Sequence, residues 1–78
     1  MKSLIEYIAR SLVDDPTQVN VYQRKRGPNT ELSLQVAKQD MGRVIGRQGR
    51  VANAMRALLQ VVAAREDKRA HLNITDPE

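Results

Sequence analysis

Gly46-Arg47-Gln48-Gly49 is the segment of this 78-residue chain whose residue types and spacing best suit chemistry. Two glycines three apart permit positive φ and leave no β-carbon in the way, so another backbone can come unusually close. Arg43, Arg47 and Arg50 add fixed positive charge beside them, and a long apolar-striped segment begins directly after Gly49. If that segment is a helix, the amides of its N-terminus and its dipole favour an anion. Phosphate is the natural ligand of such a loop. Across residues 38–56 five basic side chains, Lys38, Arg43, Arg47, Arg50 and Arg56, face one acid, Asp40, so this stretch alone accounts for the net charge of +4. With a sequence pI near 10.0, that clustering is the footprint of a polyanion partner, because each neutralised phosphate releases counterions.

The elements that position the loop follow from periodicity. Leu4, Ile5, Ile8, Leu12 and Val13 recur at helical spacing, and Ser3 with Glu6 matches a capping box, which predicts a helix over about 3–14. Asp14-Asp15-Pro16 ends it, since proline pushes the preceding residue out of the helical region. Val19 and Val21 then alternate with polar residues, Gly27-Pro28-Asn29 signals a turn, and Leu32, Leu34 and Val36 resume the alternation. Two antiparallel strands are expected, the second over about 31–38 with one polar face, so the sheet is covered on one side only. A short helix starts with Asp40 as N-cap and stops at Gly46. After Gly49 the stripe Val51, Met55, Leu58, Leu59 and Val62 predicts the longest helix, to about Ala64. A charged turn, Arg65 to Arg69, leads to a last strand in which Ala70, Leu72 and Ile74 alternate with polar residues. The order is αββααβ, and the two-helix connection makes the second and third strands parallel neighbours. The expected fold class is α+β: one three-stranded mixed sheet covered on one face by three helices.

Composition closes many alternatives. With no cysteine and a single histidine, His71, there is no disulfide framework, no cysteine zinc site and no thiol nucleophile. No phosphate-loop motif of the G-x-x-x-x-G-K-[ST] kind, no dinucleotide fingerprint and no nucleophile elbow is present. The chain is also too short to enclose the cleft of a large enzyme. A phosphate site without catalytic groups predicts a binder, with no cofactor, metal or small-molecule substrate. No stretch approaches the roughly 18 apolar residues of a membrane span, and the start from Met1 to Ile5 lacks a signal-peptide core. The expected compartment is the cytoplasm, with no membrane partner.

Val44-Ile45-Gly46-Arg47-Gln48-Gly49-Arg50-Val51 resembles the I-G-x-x-G-x-x-I core of the KH domain, and αββααβ is the order of its type II, bacterial form. The resemblance makes residues 1–78 a single type II KH domain, with its core and G-x-x-G loop over about 30–76. It implies a single-stranded RNA of about four nucleotides, clamped in a groove between the helix pair and the last strand. Gly46, Arg47, Gln48 and Gly49 would grip its backbone, with Arg43, Arg47 and Arg50 holding phosphates; Lys38 joins the candidate RNA-binding residues through the basic cluster. Val44, Ile45 and Val51 would offer aliphatic surface to the bases, opposite a wall near Leu72 to Ile74 whose backbone groups read base edges. Tyr7 and Tyr22 lie far from the loop in sequence, so the groove lacks stacking platforms. The resemblance further implies a non-catalytic RNA chaperone or post-transcriptional regulator that influences cell shape, elongation and wall synthesis. It would act as a homodimer or paired with a larger KH-containing protein.

Each feature has an ordinary reading beside this one. Val44, Ile45 and Val51 lie on apolar stripes and serve equally well as core. Lys38 and Arg56 stand evenly between phosphate contact and solvated surface. Arg24-Lys25-Arg26 reads as a soluble strand end rather than a second RNA contact. His71 reads as an ordinary strand side chain, and Asp14 and Asp15 as the finish of a helix. Two rival functions remain. One is a helix-hairpin-helix DNA module, whose glycines are normally two apart and which needs no strands. The other is a protein interaction module, suggested by Ala52, Ala57, Ala63 and Ala64, which keep the long helix slim.

Overall fold

Helix α1 spans Lys2–Leu12, strands β1 and β2 span Asn20–Arg26 and Asn29–Gln35, helices α2 and α3 span Met41–Ile45 and Arg50–Arg65, and strand β3 spans Arg69–Thr75. This is the expected αββααβ order, seen in a computed structural model that describes residues 1–76. The last two residues of the predicted 1–78 domain lie outside the described residues. The sheet order is β1-β2-β3, with β1 antiparallel and β3 parallel to the central β2. The mixed sheet and the three helices make the predicted α+β fold.

Alternation decides which sheet face is covered. Val21, Leu32, Leu34, Ala70 and Leu72 are buried and share one core with Ile5, Ala9, Val44, Met55 and Leu59 of the helices. The register places Leu34 between Val21 and Ile74, and Leu32 beside Leu72. The residues between them point to the opposite, polar face.

Four local expectations are corrected. The capping box does not form: α1 starts one residue early, Met1 is its N-cap without a side-chain bond, and Glu6 pairs with Arg10 at 3.4 Å instead. The same helix stops at Leu12, where Val13 turns extended and its N–H bonds the Ala9 carbonyl at 3.1 Å. Strand β2 begins at Asn29, because a two-residue turn with Gly27 at φ 57° lets Asn29 and Thr30 pair at once with Arg26 and Lys25. Helix α3 buries Ala52, Met55, Leu59 and Ala63 and leaves Leu58 48% exposed. Leu58 lies on the flank of the stripe with the exposed Ala54, Ala57 and Val61 rather than with Met55 and Leu59, a distinction that apolar spacing alone does not make.

Asp15 caps a single 3-10 turn at Pro16–Gln18, accepting from the Thr17 amide at 3.2 Å and from Gln18 Nε2 at 2.7 Å. Bonds from the Thr17 and Gln18 side chains hold its carboxyl below the ordinary range.

Candidate nucleic-acid interface

The loop is built by backbone conformations that few residues tolerate. Gly46 ends α2 with φ 78° and ψ 174°, Gln48 lies at φ 58° and Gly49 at φ 76°. Gly46 is required twice over. A β-carbon there would sit 2.5 Å from Val51 Cγ2 and 2.9 Å from the Val51 nitrogen, besides needing a positive φ. At Gly49 there is room, since the nearest atom, Asn53 Nδ2, is 3.7 Å away, and only φ favours glycine. The turn closes through Gly49 N–H to the Gly46 carbonyl at 3.2 Å and feeds directly into α3.

No side chain caps α3, and no acidic residue lies in its first turn. The positive end of a 16-residue helix therefore meets whatever the loop holds. Arg47, Gln48 and Arg50 are exposed around it, and Lys38 is exposed in the 3-10 turn before α2. The structure thus brings Gly46, Arg47, Gln48, Gly49 and Arg50 together as a basic, backbone-rich knuckle.

Other predicted site residues are placed differently. Val44 is fully buried, so its side chain belongs to the core and has no surface to offer a base. Ile45 and Val51 are half-buried against that core and keep part of their surface. Arg43 is engaged: its Nη2 lies 2.9 Å from Asp14 Oδ2 and its Nε 3.5 Å from Asp40 Oδ1. Asp40 itself was expected to cap α2 but makes no such bond. Its carboxylate is fully buried and accepts from the amides of Asp14 at 3.1 Å and Asp15 at 3.2 Å. Asp40 and Arg43 thereby tie the chain after α1 to the helix that carries the loop. No local pattern announces a bond between residues 26 apart in sequence.

The opposite wall is also partly occupied. In a parallel pair, alternate residues direct both N–H and C=O to the neighbouring strand. The Thr75 carbonyl and the Arg69 amide bond on the β2 side, so Ala70, Leu72 and Ile74 present their backbone groups to the outer edge. Arg56 donates to the Leu72 carbonyl from Nε at 3.2 Å and from Nη2 at 3.1 Å, and Gln60 Nε2 donates to the Ala70 carbonyl at 2.6 Å. Arg56 is therefore a brace between α3 and β3, and Gln60, which sequence reasoning missed, is its neighbour. The i, i+4 spacing of the two polar residues on α3 was the available signal.

A family model described as KhpA/KhpB, KH domain, matches residues 2–74. The chain belongs to this KH family. Within it, the RNA-binding protein KhpA of Clostridium acetobutylicum is 46% identical over 74 residues, covering 95% of this chain and 99% of the relative. The RNA-binding protein KhpA of Halalkalibacterium halodurans is 42% identical over 76 residues, covering 97% and 100%. The fold also matches a solved structure of Era in complex with MgGDPNP and nucleotides 1506-1542 of 16S ribosomal RNA. That match has a TM-score of 0.62 at 14% identity, covers 96% of this chain, and spans only 29% of the Era chain. The KH family assignment agrees with the αββααβ order and the parallel β2–β3 pair expected of the type II form.

Proposed function

We propose that this chain is a non-catalytic binder of single-stranded RNA, with about four nucleotides clamped at the Gly46–Gly49 loop. The observation that carries the reading is the loop itself: three residues at positive φ lead into an uncapped helix start flanked by exposed Arg47 and Arg50. Such a surface admits a sugar-phosphate backbone closely and neutralises it. The KhpA relatives named as RNA-binding proteins support the choice of RNA. Phosphates are held by Arg47, Arg50 and Lys38, the bases lie over Ile45 and Val51, and the outer edge of β3 forms the far wall. Val44 and Arg43 are left out of this set because the core and the two aspartates claim them. The reading is tested by substituting Arg47 and Gln48 with aspartate, which leaves both glycines in place.

The cellular role proposed for such a binder is that of an RNA chaperone or post-transcriptional regulator in the cytoplasm that influences cell shape, elongation and wall synthesis. Among the described residues no helix is long and apolar enough to cross a membrane. The helix-hairpin-helix alternative does not accommodate three strands with a parallel pair.

A protein interaction role is favoured by a separate observation. Ala54, Ala57, Leu58, Val61 and Ala64 lie on one face of α3 and are all exposed, Val61 at 55%. Ala52 and Ala63, in contrast, are used against the sheet. This apolar face supports pairing with a second copy or with a larger KhpB-type protein, in addition to RNA binding rather than in place of it. Two linked grooves would raise effective concentration without new contacts.

A further inference from the structure

The face of the sheet turned away from the helices carries its own arrangement of charge. Register puts Tyr22, Ser33 and Asn73 in one row across the three strands, Arg24, Glu31 and His71 in the next, and Arg26, Asn29 and Arg69 in the last. Three arginines therefore share this face with one carboxylate. Arg24 and Arg26 are two residues apart on β1, about 7 Å, and Arg69 lies two strand spacings from Arg26, about 10 Å. Tyr22, two residues before Arg24 on β1, is 59% exposed, its hydroxyl donating to Gln35 Oε1 at 3.5 Å along the same face. A depression lined by Tyr22, Arg24, Glu31 and Ser33 sits between strands β1 and β2. Arg24 and Arg26 in sequence look like a soluble strand end. Pairing changes that reading, because it sets Arg69, from the other end of the chain, in line with them.

We propose that this open sheet face is a second binding site for single-stranded RNA, separate from the loop between α2 and α3. The proposal rests on the reading of the chain as an RNA binder. Charge complementarity selects the occupant: Arg24 lies one row from an aromatic ring on which a base can stack, and Arg26 and Arg69 continue the line of guanidinium groups toward the hairpin end, where successive phosphates of an extended strand would meet them, with Ser33, Asn29 and Asn73 as hydrogen-bonding neighbours. Apart from the tyrosine ring, the exposed side chains of these rows are polar, which suits a nucleic acid better than an apolar protein surface. The arginine end of the site is remote from the loop, and the tyrosine row is separated from it by lying on the opposite face of the sheet. The hairpin turn and the start of β3 lie together, joined by the Arg69 amide to the Pro28 carbonyl at 2.9 Å. The loop, by contrast, opens the 16-residue α3 that leads back to β3, about 24 Å along its axis. Four nucleotides in the groove do not also cover Tyr22, so occupying both sites takes a longer strand or a second one.

The test compares uridine oligomers of about four and about twelve nucleotides, each titrated at several salt concentrations. The variants are Arg24→Gln with Arg26→Gln and Arg69→Gln, and separately Tyr22→Ala, with circular dichroism confirming the fold. The expected result for the triple variant is a salt slope for the longer oligomer lower by about 2, from about 0.7 per lost phosphate contact, with the shorter oligomer unaffected. Tyr22→Ala should weaken the longer oligomer at least about fivefold through lost stacking. As a second measurement, the longer oligomer is added to the Arg47→Asp, Gln48→Asp protein, and the amide resonances of Tyr22, Arg24, His71 and Arg69 are followed; they should still move. Shifts confined to the helices, or an unchanged slope in the triple variant, would overturn the proposal. So would unchanged RNA binding accompanied by altered self-association, which would make this face a protein contact. If the loop substitutions leave binding of the shorter oligomer intact while the sheet resonances still move, the loop reading fails and this site stands.

Discussion

Gly46 and Gly49 occupy matching places in the motif for different physical reasons, and the difference is measurable. Gly46→Ala drives a β-carbon into Val51 in a backbone region open almost only to glycine, and should cost at least about 3 kcal/mol. Gly49→Ala meets no clash and should cost about 1–2 kcal/mol, the penalty of a left-handed residue with a side chain. Urea unfolding of the two variants checks the order; equal losses would mean that Val51 moves aside freely. Asp40 supplies a second prediction at this scale. Asp40→Ala leaves two amides in the α1–β1 connection without their acceptor and should cost about 2–4 kcal/mol. Arg43→Gln removes an exposed pair with Asp14 and a longer one with the buried Asp40, whose carboxylate keeps its two amide donors, and should cost less than Asp40→Ala, about 1–2 kcal/mol. Because Arg43 is held by carboxylates, Arg43→Gln should also leave the salt slope of RNA binding close to that of the native chain. A slope lower by about 0.7 would return it to the phosphate contacts.

Among the elements, α3 does three things with three arcs: Met55 and Leu59 enter the core, Arg56 and Gln60 brace the edge of β3, and Leu58 and Val61 remain exposed. Covering an edge strand with side chains limits pairing with another chain. Arg56→Ala with Gln60→Ala should therefore lower stability by about 2–4 kcal/mol and speed amide exchange in β3. Stability and exchange both unchanged would mean that these bonds do not hold the strand. The sequence made the order of elements and the place of the loop legible, because alternation, helical spacing and the two glycines are local signals. The contacts from Asp40 to Asp14 and Asp15, and from Arg56 to Leu72, were not legible. They join residues distant in the chain, and Asp40 looked like a cap because an acid before a short helix normally is one. Val44 could not be assigned from its pattern, since core and groove residues share one apolar stripe; only its complete burial decides.

For the whole molecule, a body of 35 × 22 × 18 Å carries its basic loop at the start of α3 and its apolar strip along the same helix. Contact between two copies through that strip would set two loops in a fixed relation. Val61→Glu places a charge on an exposed position, so the fold should persist while sedimentation shifts to the monomer. A native chain that is monomeric at micromolar concentration would mean that the strip joins no second copy. The RNA clamp at Gly46–Gly49 is tested by RNA binding at two salt concentrations by the native chain and by Arg47→Asp with Gln48→Asp, both shown to be folded. The folded variant should lose most of its affinity for a four-nucleotide RNA together with part of the salt slope, about 0.7 for each phosphate contact removed. Unchanged affinity and slope in a folded variant would contradict the clamp.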